Sequence, residues 1–418
     1  MLGRLQREEA LVHFRRGLIF EQAHRLDAAV AEYRRAIAHD PHLCEARTAL
    51  ASFYQRYGLT AKALEELRVV ANLEDDTYAR YQLGCMLTEV GQLDLAIELF
   101  QSCLAYAPDH PLVRYRMAVA HFLRGEYIAA LGHLAINAPD WEIQQLRGDC
   151  LLRLGSYAVA SEAFEHAMRH APPEHTPALA ERYHTALRYR EIMPLHTIRD
   201  WLYAEHATVL LGSPQIDAHR REPTDYPLTY ADLGAMIQRF IALTAAFGWQ
   251  FTMVVAADRV ARPLSQVLAY VLQIPEATQG QDPFAPHQRP LLVLAGSDQP
   301  ELSRLALDHA PGRAMLLCMG LSRMRQHSHA PEIVGAAVHG ACSVPWEPHL
   351  RRLQAAGARS AAVHEWITLS TTRISEALAQ TPTDPGIEPL INYYMRHQRI
   401  RVTRTSPLIA MAPHQEPI

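Results

Sequence analysis

The sequence almost lacks lysine. Of its 40 basic residues, only Lys62 is lysine and 39 are arginine. Arginine codons are GC-heavy, so the skew points to a GC-rich, bacterial coding source and says little about chemistry. An excess of one charge is also absent. The 40 basic residues face 44 acidic ones, for a net charge of −4. That balance excludes the basic footprint of a nucleic-acid binder or a membrane-surface protein. The six cysteines (Cys44, Cys85, Cys103, Cys150, Cys318, Cys342) include no C-x-x-C pair. They read as buried free thiols of a reducing compartment, not as a disulfide framework. No apolar run is fit to cross a membrane: the uncharged stretch Phe240–Ala257 is interrupted by Gly248, Trp249 and Gln250. The opening MLGRLQREEALVHFRR has no apolar h-region and no cleavage site, so a cytoplasmic protein without a signal peptide is expected. A P-loop, GxGxxG, GxSxG and HExxH are all missing, which removes support for ATPases, dinucleotide enzymes, α/β-hydrolases and zincins.

What is present is a well-cored chain. Apolar residues make up 49% of its 418 positions and charged residues 20%. That length suits two or three domains. The first part is periodic. Small residues recur at Gly17, Ala51, Gly84, Ala118 and Gly148, spaced by 34, 33, 34 and 30. Twelve residues after each stands an alanine: Ala29, Ala63, Ala96, Ala130 and Ala160. Four further on stands a large apolar residue: Tyr33, Leu67, Phe100, Leu134 and Phe164. Prolines close most units: Pro41, Pro108, Pro139 and Pro172. A small residue lets two helices approach, and a proline stops the second one. The large residue is expected to fill the gap to the next unit. No helix pair buries its apolar face alone, so such units stack.

This register resembles the tetratricopeptide repeat over about residues 10–174. The fourth unit is about four residues short near Asn137, so an irregularity is expected there. Pro177–Arg190 is helical in pattern and is expected to cap the array. The resemblance implies a protein- or peptide-binding groove on the first helix of each pair. In this register its candidates are Phe14, Leu18, Arg56, Tyr78, Tyr81, Tyr115, Phe122 and Arg153. The alternative reading is that half of these positions touch a neighbouring repeat and belong to the core. The family's lysine-based carboxylate clamp is not expected, because Lys62 falls in a second helix.

From about Pro194 the period disappears. Trp249–Ala256, Pro290–Ala295, Arg313–Met319 and Ser360–Val363 read as strands, with Thr208–Leu211 as a short one. Tyr230–Phe247, Pro263–Leu272, Pro300–His309 and Thr372–Ala379 read as helices. Continuous apolar strands between helices argue a mostly parallel sheet covered on both faces. The fold class expected is an α-solenoid of about five helix pairs over 1–190, then an α/β domain over 191–405 and a tail over 406–418.

Two segments resemble a type I phosphoribosyltransferase. Thr252–Pro275 is similar to its pyrophosphate-contacting opening, with Asp258, Arg259 and Arg262 in the loop. Ala361–Leu378 is similar to its phosphoribosyl-pyrophosphate loop, with His364 and Glu365 at the acidic pair. Thr368, Ser370, Thr371 and Thr372 would then stand in the phosphate loop. The resemblance implies phosphate binding, and Mg²⁺ only if phosphoribosyl pyrophosphate binds; no other cofactor is implied. His364 replaces an acid and Ser370 a glycine, so a domain that kept the scaffold and lost catalysis is expected. The cluster His327, His329, His339, Cys342 and His349 reads as loop histidines, not a metal site. Three functions stay open: an interaction scaffold with a non-catalytic phosphate- or nucleotide-binding domain, an active transferase controlled by its repeats, and a self-assembling oligomer.

Overall fold

The computed structural model describes residues 2–73, 77–135, 140–212, 226–278, 284–285, 287–296, 314–322, 331–338 and 340–397. The chain divides into two compact units, 1–170 and 171–418. The division lies ahead of the boundary expected at 190.

The first unit is five helix pairs. The first helices are α1 (Leu2–Gln22), α3 (Cys44–Arg56), α5 (Thr77–Glu89), α7 (Pro111–Leu123) and α9 (Trp141–Arg153). The second helices are α2 (Leu26–His39), α4 (Thr60–Leu73), α6 (Leu93–Tyr106), α8 (Tyr127–His133) and α10 (Tyr157–His170). The periodic alanines Ala29, Ala63, Ala96, Ala130 and Ala160 are fully buried. Pro41, Pro108 and Pro172 each stand two residues past the end of a second helix.

The large residue joins a core shared with the next unit. It closes on the small residue of its own pair. A Cβ on Gly17 would lie 2.5 Å from the Tyr33 ring, one on Gly84 2.7 Å from Phe100, and one on Gly148 2.6 Å from Phe164. Where the small residue is alanine, at Ala51 and Ala118, the large one is Leu67 or Leu134. A methyl on one helix is matched by the loss of a ring on the other. The turn inside each pair is left-handed, at His24 (φ 55), Gly58 (φ 69), Gly91 (φ 77), Gly125 (φ 84) and Gly155 (φ 75). Glycine adopts that backbone without the steric cost a Cβ brings. The fourth pair is irregular, as expected: α8 has 7 residues where its counterparts have 14. Asn137 lies outside the described residues.

The second unit starts with α11 (Thr176–Ile192) and α12 (Ile198–His206). Helix α11, expected as the array's cap, is grouped here. Its Arg188 Nε donates to Ala204 O (3.0 Å) and its Tyr189 hydroxyl to Glu205 (2.6 Å). The strands are β1 (Val209–Leu210), β2 (Tyr226–Pro227), β3 (Met253–Ala256), β4 (Glu276–Thr278), β5 (Pro290–Leu294), β6 (Met315–Ser322), β7 (Ile333–Val338) and β8 (Cys342–Ser343). The helices among and after them are α13 (Tyr230–Phe247), α14 (Arg262–Leu272), α15 (Glu347–Ala355), α16 (Ser360–Gln380) and α17 (Ile387–His397). Six strands form one sheet in the order β1-β7-β6-β5-β3-β4, all parallel, and β2 pairs with β8.

Alternate strand residues supply the two faces. Leu291, Val293 and Leu317 join a core with Leu233 of α13, Leu264 of α14 and Ile367 of α16. Leu292, Leu294, Leu316 and Cys318 pack on the opposite face. The edge strand β1 is capped: the Leu210 amide donates to the Tyr394 hydroxyl of α17 at 2.7 Å. That contact consumes a donor an open edge would expose.

The strand expected at Ser360–Val363 is the first turn of α16. No glycine or proline interrupts 360–380, and the buried residues Ile367, Ser370 and Ile374 recur at helical spacing. The helix expected at Pro300–His309 lies outside the described residues.

Candidate functional site

The first helices of neighbouring pairs meet through polar side chains. Arg56 of α3 pairs with Glu21 of α1. Tyr81 of α5 is hydrogen-bonded to Arg116 of α7. Burial chiefly raises the Tyr81 phenol above its ordinary range, with Cys85 adding to it and Arg116 opposing. Burial also raises the Cys85 thiol, so Cys85 is no ready nucleophile. Among the predicted groove residues, Tyr78 is exposed and accepts a hydrogen bond from Gln82 Nε2 at 3.0 Å. Arg56 is exposed as well. Phe14 packs on the core and on the Tyr33 ring at 6.0 Å. Tyr81 rests on Phe100 at 6.2 Å, and Phe122 on Tyr127 at 5.6 Å. Tyr115 packs against the core of the fourth pair, and Arg153 is half-buried. The free surface is thus narrower than the sequence reading, centred on Tyr78, the Tyr81 edge and exposed Arg116. Arg116 was not singled out in the sequence; its place beside Tyr115 in the register is the signal that finds it.

In the second unit the sheet order reverses between β3 and β5, since β4 lies on one side of β3 and β5 on the other. Ligands of open parallel sheets sit beyond the carboxyl ends of strands at such a point. The predicted loop residues lie there. Asp258 follows β3 and accepts the Ala261 amide at 2.7 Å, which starts α14. Trp346 Nε1 fastens the loop by donating to Val260 O at 2.7 Å. Burial raises the Asp258 carboxyl above the usual range; the Ala261 amide opposes this, the Glu347 charge adds to it and Arg351 lowers it. Glu347 is itself buried and paired with Arg351 at 2.8 Å. Arg259 is exposed on the loop. Arg262 Nε lies 3.9 Å from Glu276 of β4 and makes no hydrogen bond. Gly296, just past β5, keeps the backbone open where a Cβ would meet Cys342 O at 3.2 Å. The place therefore offers two arginines beside a carboxyl that burial raises above its usual range. It suits an anion better than a cation.

The other half of the predicted phosphate site is not a loop. Thr368, Ser370, Thr371 and Thr372 are interior residues of α16. Their hydroxyls donate to the carbonyls of His364, Trp366, Ile367 and Thr368 at 3.0, 2.8, 2.9 and 3.1 Å. Ser370 is buried and Thr371 also donates to Gln266 Oε1 of α14 at 2.8 Å. Ser370 and Thr371 are used in helix packing, and the exposed Thr368 and Thr372 turn their hydroxyls to their own helix. Glu365 is exposed one turn earlier. His327, His329 and His339 lie outside the described residues, among which no group of three or more His, Cys, Asp or Glu could hold a metal. No described helix is long and apolar enough to cross a membrane.

The helix pairs, their small–large contacts and their left-handed turns give the first unit the architecture of a tetratricopeptide-repeat array. Residues 77–110 match the tetratricopeptide repeat family. The BBSome complex member BBS4 of Bos taurus is 26% identical over 167 residues, which are 39% of this chain and 32% of that protein. The chain thus spans about a third of the length of the curated relative it matches. The MamA protein structure is 21% identical, covering 39% of this chain and 91% of its own, with a TM-score of 0.37. YrrB, described as a TPR protein with an unusual peptide-binding site, is 17% identical, covering 44% of this chain and 93% of its own, with a TM-score of 0.38.

Proposed function

We propose that the chain is an interaction scaffold that recruits a protein partner through the first-helix face of its repeats. The observation that carries this reading is the exposed pair Tyr78 and Arg116 on α5 and α7, beside the half-buried Tyr81. Aromatic residues and arginine are the types that supply most binding energy at protein interfaces. Tyr78 and Arg116 stay exposed, while Tyr81 rests one face on the Phe100 ring. The test is affinity capture with the full chain from cells that make it, against a Tyr78→Ala/Arg116→Ala variant of unchanged circular dichroism. A partner held by the native chain and lost from the variant supports the reading. Equal capture by both overturns it.

The second unit is read as a non-catalytic module for a phosphorylated small molecule at Asp258–Arg262. Its support is the pair of arginines beyond the carboxyl ends of β3 and β5. Calorimetry with inorganic pyrophosphate, with and without Mg²⁺, tests it. Binding weakened at least about tenfold by Arg259→Ala/Arg262→Ala is expected. Absence of binding to the native chain overturns it. An active phosphoribosyl transferase is the less favoured reading, because the hydroxyls it would need on a ribose-phosphate loop are bonded within α16.

A further inference from the structure

In pairs two to five, the third residue of the first helix is buried: Ala46, Ala79, Val113 and Ile143. The tenth residue is buried too: Phe53, Met86, Ala120 and Cys150. The same positions of the first pair are Val12 and Ile19, and they are 47% and 62% exposed. Leu5, two turns before Val12, is 58% exposed. Helix α1 therefore presents the surface that stacks repeats elsewhere, and no described residue covers it. Repeat arrays ordinarily end in a polar outer face. The outer face of α1 is instead an apolar stripe of Leu5, Val12 and Ile19.

The stripe is its own complement. In an antiparallel pairing of α1 with a second α1 about Val12, residues whose numbers sum to 24 lie opposite each other. Val12 meets Val12, and Leu5 meets Ile19. At the flanks the two-fold keeps each lateral side, so Glu8 comes beside Arg15 of the second copy and Glu9 beside Arg16. All seven residues fall on one side of the helix, within about 60° of Val12 at 3.6 residues per turn, and all are exposed. The opposite side, with Ala10 and Gly17, is buried. Apolar residues thus run down the middle, with acids toward one end and arginines toward the other. A two-fold contact needs that arrangement, because the same patch must satisfy itself. We infer that two copies of this chain associate through antiparallel α1 helices centred on Val12.

Sedimentation of the full chain over about 1 to 200 µM tests this. The native chain is expected to move from 47.0 kDa toward twice that mass as concentration rises. Val12→Arg sets like charges against each other at the two-fold axis and raises the dissociation constant at least about tenfold. Glu8→Arg/Glu9→Arg leaves the face all basic, and Arg15→Glu/Arg16→Glu leaves it all acidic. Each is expected to be monomeric alone and to form a heterodimer when the two are mixed. The substituted positions are on the surface, and circular dichroism checks that the variants fold. A native chain monomeric throughout, a dimer indifferent to Val12→Arg, or charge variants that stay apart when mixed would each overturn the inference. A monomeric native chain would assign the stripe to a different protein.

Discussion

The Phe100 ring occupies the space a side chain on Gly84 would need. A Cβ built on Gly84 falls 2.7 Å from Phe100 Cε1, and Phe100 is fully buried. Closing one helix pair therefore depends on a missing methyl on α5 and a present ring on α6. Gly84→Ala is expected to destabilise the array by about 1–3 kcal/mol, the usual range for overpacking a tight core. Adding Phe100→Leu recreates the Ala51–Leu67 pairing of the second helix pair and should recover part of the loss. Thermal melts of the two single variants and the double variant supply the cycle. Strict additivity would mean the two positions do not sense each other.

His24 stands where the other pairs place glycine, with φ at 55. A left-handed backbone costs a residue with a Cβ about 1–2 kcal/mol. His24→Gly should raise stability by up to about 1 kcal/mol after glycine's greater freedom in the unfolded chain is set against it. Urea denaturation at neutral pH measures it, and a lower midpoint than the native chain's would refute it.

The Tyr394 hydroxyl accepts the outward amide of Leu210 on the edge strand. Tyr394→Phe keeps the ring and leaves that amide without this acceptor, a loss of about 1–3 kcal/mol for a buried donor. Amide exchange at Leu210 should quicken while amides of the central strand β5 hold their protection. Unchanged exchange at Leu210 would show that something else covers the edge.

Burial raises the Asp258 carboxyl, with Glu347 adding to it. A raised acid is destabilising once ionised. Its neutral form holds full stability below the unfolded value, and that stability is lost as pH climbs through the folded value. Asp258→Asn keeps an oxygen for the Ala261 amide and carries no charge. Relative to this variant, the native chain should lose stability as pH climbs above about 4. Denaturant midpoints across that climb are the readout, and parallel curves would remove the effect.

Much of the first unit was legible because its spacing carries the packing. Gly17, Gly84 and Gly148 stand out, and rings follow at a fixed distance. The turn glycines Gly58, Gly91, Gly125 and Gly155 repeat just as regularly and escaped the reading; only their left-handed φ gives them a reason. In the second unit, β3 and β5 were legible as dense apolar runs. Strand β7 was not, since IVGAAV is half small residues. The start of helix α16 resembles a strand because Ser360–Val363 is strand-like over four residues, and only the longer period of Ile367, Ser370 and Ile374 marks a helix. Strand order is invisible in the sequence, yet it is what puts Asp258 and Arg262 at the reversal point. The partial burial of Tyr81, Tyr115 and Phe122 was also hidden, because an aromatic on a first helix reads the same whether it lines a groove or seals a joint.

The array's interior is divided within the fourth pair. One core runs from Ala29 to Ala120 and another from Ala118 to Cys150, and to the second the short helix α8 brings Ala130 with Tyr127 and Leu131 packed beside it. Repeat arrays propagate order through nearest-neighbour coupling. Heat or mechanical load should therefore part this array at one place, so that the first three pairs and the fifth melt as separate blocks and the fourth acts as the fuse between them.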